Sequence, residues 1–105
     1  MIYAVDFDGY LCRNKWPNIG EPRRLIIWYF KRKKRRGHKL ILNTCREGKL
    51  LQEAIDWCAK HGLYFDAHNE NLPERIAEYG RDCRKISADR YCDDKNHWLR
   101  PLIRR

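Results

Sequence analysis

A chain of 105 residues is long enough for one folded domain and too short for two. It contains no run of about 18 apolar residues, which excludes a membrane-spanning helix, and its five cysteines form no C-x-x-C pair, which argues against a zinc ribbon and a disulfide framework. The formal net charge of +9 favours polyanionic partners. Because the N-terminal residues lack the basic flank and long apolar segment of a signal peptide, we expect a cytoplasmic protein with no membrane partner.

The first third of the chain predicts a strand, a loop and a helix. Residues 2–6 are predicted to form a strand, because Ile2 to Val5 are apolar on both faces, as is typical of a parallel sheet covered by helices. Residues 9–20, which contain glycines and a proline, are predicted to form a loop. A helix is predicted to open at Glu21 and Pro22, with the proline in its first turn, and to close at Gly37.

The predicted helix has an apolar part followed by a basic part. We expect five of its side chains to point inward, namely Leu25, Ile26, Trp28, Tyr29 and Phe30. The basic block consists of Lys31, Arg32, Lys33, Lys34, Arg35 and Arg36. Such blocks often contact nucleic acid, although cations in the last turn also complement the helix dipole. A nucleotide or nucleic acid is therefore the partner that this block predicts.

The remaining chain continues the alternation. Strands are predicted over residues 39–43, 63–67 and 86–92, and helices over 47–60 and Pro73–Tyr79. Strands that alternate with helices form a parallel α/β sheet with right-handed crossovers. We therefore expect a three-layer, Rossmann-like α/β domain in which the four predicted strands, numbered along the chain, have the spatial order 3-2-1-4.

Polar residues follow the predicted strands at their carboxyl ends, where ligands bind in such sheets. With the strand order 3-2-1-4, residues that follow strands one, two and four converge on one crevice. The converging carboxylates are Asp6, Asp8, Asp93 and Asp94, and the neighbouring groups that we expect to contact phosphate or substrate are Gly9, Asn43, Thr44 and Arg46.

A crevice with so many carboxylates needs a compensating positive charge. A Mg²⁺ ion supplies it, because Mg²⁺ takes one or two carboxylates, carbonyl oxygens and waters. The ion also neutralises a bound phosphate, and a carboxylate beside it can attack phosphorus to give an aspartyl-phosphate. The sequence therefore predicts a Mg²⁺ cofactor and a phosphorylated substrate.

Three segments resemble, in order, the motifs of the haloacid dehalogenase superfamily. "DFDGYL" resembles the D-x-D-G-T/V nucleophile motif, and "LILNTCRE" is similar to the second motif, a hydrophobic strand that ends in Thr or Ser. "KISADRYCDD" is similar to the third and fourth motifs, a lysine followed by a strand that ends in paired acids. The motifs span nearly the whole chain, and the similarity is strongest to the small, capless, phosphatase-like members of bacteria and phages. The family inserts a cap domain at two points, and the matching segments here, between Gly9 and Gly20 and between the third predicted strand and Lys85, are too short to carry one.

This resemblance implies a Mg²⁺-dependent phosphatase and a role for each matching residue. Asp6 would be the nucleophile, and Asp8 would be the general acid and base, with its backbone carbonyl on the metal. Thr44 would bind the transferring phosphoryl group, and Lys85 would offset the charge of the phospho-intermediate. Asp93 would bind Mg²⁺.

The resemblance also implies a role for Asp94, which would hold a metal-bound water or orient Lys85. Tyr10 departs from the family pattern, which has Thr or Val there, and this bulkier side chain would crowd the site or face the substrate. Thr44 has a second interpretation as the N-cap of the following helix, with Glu47 completing a capping box.

Two other functions remain open from the sequence. One is a basic nucleic-acid-binding module that keeps the fold without turnover. The other is a phosphoacceptor switch like a receiver domain, in which Asp66 would have to be phosphorylated and the D-x-D-G segment would go unexplained. The sequence does not identify the physiological substrate or the oligomeric state.

Overall fold

The structure is a computed structural model that describes residues 1–73 and 86–93. Its elements in chain order are β1 (Ile2–Val5), β2 (Cys12–Lys15), β3 (Asn18–Pro22), α1 (Arg24–Arg35), β4 (Lys39–Leu42), α2 (Gly48–Lys60), β5 (Ala67–His68) and β6 (Arg90–Cys92). Together they form a small α/β fold, as the alternation of strands and helices predicts.

A parallel sheet of four strands, in the order β5-β4-β1-β6, forms the centre of the fold. β1 pairs in parallel with β4 on one side and with β6 on the other, and all four of its residues are buried. A strand that is buried on both faces must be apolar at every position, which explains the uninterrupted apolar sequence of β1. The polar strand β6 has two exposed residues, Arg90 and Tyr91.

Both helices of the described residues pack on the same face of the sheet. Their buried side chains are Ile26, Ile27 and Phe30 from α1 and Ala54 and Cys58 from α2. The opposite face has a smaller apolar cluster, made of Ile2, Ile41, Ala67 and Leu72 with Ile86 and Ala88 packed against it. The predicted helix on that face, Pro73–Tyr79, lies outside the described residues except for Pro73. Neither described helix is long and apolar enough to cross a membrane.

The start and the buried face of α1 differ from the prediction. Pro22 belongs to β3, and the helix begins at Arg24 rather than at Glu21 and Pro22. Leu25 and Trp28 were expected to point inward but are 45% and 52% exposed. The helical period explains the correction, since a face centred on the buried residues 26, 27 and 30 turns positions 25 and 28 toward solvent.

The segment 9–20, predicted as a loop, forms most of an antiparallel hairpin of β2 and β3, which extends to Pro22. The two strands meet closely at Gly20, where a Cβ atom would overlap the carbonyl oxygen of Arg13. The hairpin leads directly into α1. At the junction, the Arg23 N–H donates to the Leu11 carbonyl at 2.9 Å, which ties the start of the helix to the residue before β2. Its short, polar strands hide the period-two pattern on which a strand prediction depends.

The third and fourth predicted strands are shorter than expected. β5 comprises only Ala67–His68, because the Leu63 N–H still donates to Cys58 at the end of α2, and pairing with β4 starts at Asp66. β6 comprises Arg90–Cys92, the last three residues of the predicted 86–92 strand.

Candidate active site

Parallel pairing brings three polar residues to one edge of the sheet. The Asp6 N–H donates to the Cys92 carbonyl at 2.9 Å, and the Asn43 N–H donates to the Val5 carbonyl at 2.8 Å. These bonds extend the strand pairing just past β1 and β4, so that Asp6, Asn43 and Asp93 all leave the sheet at the carboxyl ends of their strands.

A pocket of about 350 Å³ opens at this edge. Its lining residues are Ala4, Asp6, Asn43, Thr44, Cys45, Tyr91, Cys92 and Asp93. Four of the sequence-predicted site residues, Asp6, Asn43, Thr44 and Asp93, therefore share one cavity although they come from three separate segments.

The alternation after β1 separates Asp6 from its neighbour Phe7. Phe7 is fully buried and meets the Trp57 ring edge-on, with the ring centroids 5.5 Å apart. The Phe7 N–H donates to Asp6 Oδ1 at 2.8 Å, which fixes the carboxylate at the pocket. Burying the aromatic ring thus positions the carboxylate that precedes it.

Asp8 does not line the pocket but forms an ion pair with Arg46. Arg46 Nε donates to Asp8 Oδ2 and Nη2 donates to Asp8 Oδ1, each at 2.8 Å. This two-point contact matches the planar guanidinium to the planar carboxylate. The hydrogen bonds that Arg46 donates to Asp8 raise the pKa of Arg46 above its ordinary value, against the opposing effect of burial.

Arg46 is fully buried beneath the hairpin. Its Nη2 also donates to the Asn18 carbonyl at 3.1 Å, and its guanidinium carbon lies 5.1 Å from the ring centroids of Phe7 and Trp16. Arg46 was predicted to contact phosphate, but its side chain is committed to Asp8 and to the hairpin. The remaining nitrogen, Nη1, is buried and has no hydrogen-bond partner.

Thr44 does not cap the following helix. The N-cap of α2 is Glu47, without a side-chain hydrogen bond, so the predicted capping box is absent. Instead, Thr44 Oγ1 accepts from the Arg46 N–H at 3.2 Å in a local turn that leaves Thr44 in the pocket wall.

Asn69 holds the turn that carries Thr44. Its Oδ1 accepts from the Thr44 N–H at 2.8 Å, and its Nδ2 donates to the Arg46 carbonyl at 3.1 Å. Asn69 has φ 54°, a left-handed conformation that asparagine tolerates better than most residues. Sequence reasoning missed this clamp, and its only signal was a polar residue directly after a short strand.

The remaining predicted site residues have different placements. Gly9 forms the turn after Asp8 with φ 80°, a conformation that favours glycine. Tyr10 is fully buried against Phe30, so it neither crowds the pocket nor faces it, and burial raises the pKa of its hydroxyl above the ordinary range. Lys85 and Asp94 lie outside the described residues.

The predicted metal ligands are only partly assembled in the described residues. Within 1–73 and 86–93, no three His, Cys, Asp or Glu side chains form a group able to hold a metal ion. Asp6 and Asp93 are the two carboxylates that line the pocket.

Comparison with known proteins identifies one similar solved structure. No protein-family model and no curated protein sequence matches the chain. The structure of a conserved protein coded by a locus of Bacteroides thetaiotaomicron is 42% identical, with a TM-score of 0.81, and the match covers 92% of this chain and 78% of that one. Identity at this level over most of both chains shows common ancestry, and the chain belongs to the family of this conserved Bacteroides protein.

Proposed function

We propose that the protein is a Mg²⁺-dependent phosphomonoester hydrolase of the haloacid dehalogenase type. The observation that carries the proposal is the shared pocket of Asp6, Thr44, Asn43 and Asp93 at the carboxyl edge of the sheet. A carboxylate nucleophile, a hydroxyl and an amide for phosphoryl oxygens, and a second carboxylate for a cation are the groups that this reaction requires.

The oxygen atoms around the pocket suit Mg²⁺. Asp6 and Asp93 would hold the ion, and the sequence motif adds the backbone carbonyl of Asp8 and the side chain of Asp94. Mg²⁺ keeps several of its waters and needs only one or two carboxylates, so the two carboxylates at the pocket suffice. When bound, the ion neutralises phosphate charge in the transition state.

In the proposed reaction, Asp6 attacks the phosphorus atom of the substrate. A bond forms between an Asp6 carboxylate oxygen and phosphorus, the bond from phosphorus to the ester oxygen breaks, and protonated Asp8 donates its proton to the leaving oxygen. Asp8 then removes a proton from water, which attacks phosphorus, releases inorganic phosphate and restores the Asp6 carboxylate.

The contact between Asp8 and Arg46 bears directly on this scheme. Both Asp8 carboxylate oxygens accept hydrogen bonds from Arg46, whereas the first step needs one of them beside the leaving oxygen. Asp8 must therefore part from Arg46 before it can donate a proton to the leaving oxygen. This proton transfer by Asp8 makes the basicity of the leaving group important for the rate.

The test is phosphate release from an aryl phosphate with and without Mg²⁺. Asp6→Asn and addition of EDTA should each abolish turnover, and Asp8→Asn should slow it at least ~100-fold, the usual reach of general acid–base catalysis. Asp56→Asn is the matched control, because Asp56 is an exposed carboxylate on α2, and it should retain full activity. Circular dichroism checks that each variant is folded.

Absence of turnover by wild-type protein with Mg²⁺ on a broad panel of phosphoesters would overturn the proposal. So would an Asp6→Asn variant that is as active as wild type. Because the net charge of +9 favours anionic substrates, the panel should include nucleotides and oligonucleotides that end in a phosphate.

A further inference from the structure

A second cavity, of about 400 Å³, lies along the outer surface of α1. Its lining residues are Trp28, Tyr29, Arg32, Lys33 and Arg36, which we call the α1 groove. The Trp28 side chain is 52% exposed, although tryptophan side chains are on average highly buried. The groove thus combines exposed aromatic surface with three cationic side chains.

Cations and aromatic rings are interleaved in the α1 groove. The Arg32 guanidinium carbon lies 5.6 Å from the Trp28 ring centroid, and the Lys33 ammonium lies 5.2 Å from the Tyr29 ring centroid. These contacts hold the cationic side chains beside the rings rather than letting them extend freely into solvent.

The basic block is divided between two sides of α1. Lys34 makes an ion pair with Asp66 at 2.6 Å, and the Lys31 ammonium lies close to Gly62, so both point toward the segment that follows α2. Arg32, Lys33 and Arg36 face the groove instead. Complementing the helix dipole requires cations in the last turn, but it does not require an exposed tryptophan beside them.

The α1 groove lies away from the candidate active site. The end of α1 leads into β4, whose first residue, Lys39, pairs with Ile2 at the start of β1, whereas the pocket opens at the carboxyl ends of these strands. Trp28 and Arg36 are eight residues apart, which corresponds to about 12 Å along the helix axis. The groove is thus a separate surface that does not require Asp6.

The chemistry of the groove selects among anionic partners. A membrane would need the apolar face of α1, but Ile26, Ile27 and Phe30 are buried against the sheet. An acidic peptide would pair with the three cationic side chains, but it would not account for the exposed indole ring of Trp28 beside them. Bases that stack on aromatic rings and phosphates that pair with neighbouring cations use both features.

We infer that the α1 groove binds single-stranded nucleic acid, with a base stacked on Trp28 and backbone phosphates at Arg32, Lys33 and Arg36. The inference goes beyond the proposed hydrolase, since binding here is independent of turnover and of Mg²⁺.

The test is fluorescence anisotropy with a labelled single-stranded oligonucleotide of mixed sequence, in EDTA. Trp28→Ala should weaken binding about tenfold or more, the effect of losing one stacked base. Tyr64→Ala, which removes an exposed aromatic ring elsewhere on the surface, is the matched control and should leave the affinity unchanged.

Charge variants test the phosphate contacts separately. The double variant Arg32→Gln/Arg36→Gln should reduce the slope of log affinity against log salt by about 1.4, since each lost phosphate contact on a single strand contributes about 0.7. The control variant Lys49→Gln/Lys60→Gln removes two exposed positive charges from α2. Its net charge equals that of the Arg32→Gln/Arg36→Gln variant, and it should retain the wild-type slope.

The inference fails if Trp28→Ala and Tyr64→Ala bind equally well, or if both double variants lower the slope equally. It also fails if polyglutamate or anionic lipid vesicles bind more tightly than the oligonucleotide. Because the assay contains no Mg²⁺ and measures no phosphate release, loss of the hydrolase proposal would leave these outcomes unchanged.

Discussion

Asp66 shows how one carboxylate connects three segments of the chain. It accepts hydrogen bonds from the Lys34 ammonium at 2.6 Å and from the Leu40 N–H at 2.8 Å. Burial raises the pKa of Asp66, but these two donors outweigh burial and hold it below its ordinary value. The residue considered for phosphorylation in a receiver-like switch is thus engaged in tying α1 to β4.

The lowered pKa of Asp66 predicts how stability depends on pH. Because the folded pKa lies below the unfolded value of about 3.9, the Asp66 contribution is complete above about pH 4 and is lost as the pH falls through the folded pKa. Asp66→Asn should reduce the free energy of unfolding by about 1 kcal/mol at pH 7, since the pair is partly exposed. Urea titrations should show this difference shrinking below pH 4, and a constant difference down to pH 2 would contradict it.

The buried guanidinium of Arg46 predicts a larger effect. Arg46→Met leaves the Asp8 carboxylate without its partner, which should lower the free energy of unfolding by about 3 kcal/mol in urea titrations. Arg46→Lys should give an intermediate loss, because an ammonium cannot contact both oxygens in the same way. The control is Arg24→Met at an exposed arginine, which should lie within about 0.5 kcal/mol of wild type. Equal stability of Arg46→Met and wild type would refute the structural role.

At the scale of elements, long periodic segments are predictable and short polar ones are not. β4 and α2 begin and end within one residue of the boundaries expected from sequence, because each has an apolar pattern that matches its period. The hairpin of β2 and β3 has one buried residue in each strand, so its sequence lacks that pattern. The hairpin also contacts Arg46, and the Arg23 N–H at the start of α1 donates to Leu11 just before it; no local sequence pattern encodes these contacts.

The hairpin predicts a specific requirement for glycine at position 20. Gly20→Ala would force the Arg13 carbonyl to move, and we expect a loss of about 1–3 kcal/mol in the free energy of unfolding. Asn18→Ala is the control in the same strand, because it keeps the backbone carbonyl that Arg46 contacts and should cost less than about 0.5 kcal/mol. Similar losses for both variants would argue against the close approach.

For the whole molecule, sheet topology determines how much of the site a sequence can reveal. Asp6, Asn43 and Asp93 were predictable because residues that leave adjacent parallel strands must meet at one edge. The pairing of Asp8 with Arg46 was not, because Arg46 is buried against a hairpin that the sequence did not indicate. The clamp by Asn69 was missed for a similar reason, since β5 is two residues long and starts later than its sequence suggested.

A ligand at the carboxyl edge should stabilise the whole chain. If Mg²⁺ and fluoroberyllate, a phosphoryl mimic, occupy the pocket at about 100 times their dissociation constant, the gain is about 2.7 kcal/mol, which for a domain of this size raises Tm by about 10 °C or more. Differential scanning fluorimetry should show the shift in wild type and in Asp56→Asn. It should be lost in Asp6→Asn, and a shift of equal size there would place the ligand elsewhere.

The thiol of Cys45 is exposed on the wall of this pocket, whereas Cys12, Cys58 and Cys92 are buried. Burial raises the pKa of Cys58 and of Cys92 to about 12, so neither is ionised enough near neutrality to react quickly. Among the cysteines of residues 1–73 and 86–93, alkylation by iodoacetamide should therefore occur first at Cys45. A ligand bound in the cavity would shield the Cys45 sulfur from the reagent. Mass spectrometry of the adduct would therefore measure occupancy of the cavity directly, even in a variant that does not turn over substrate.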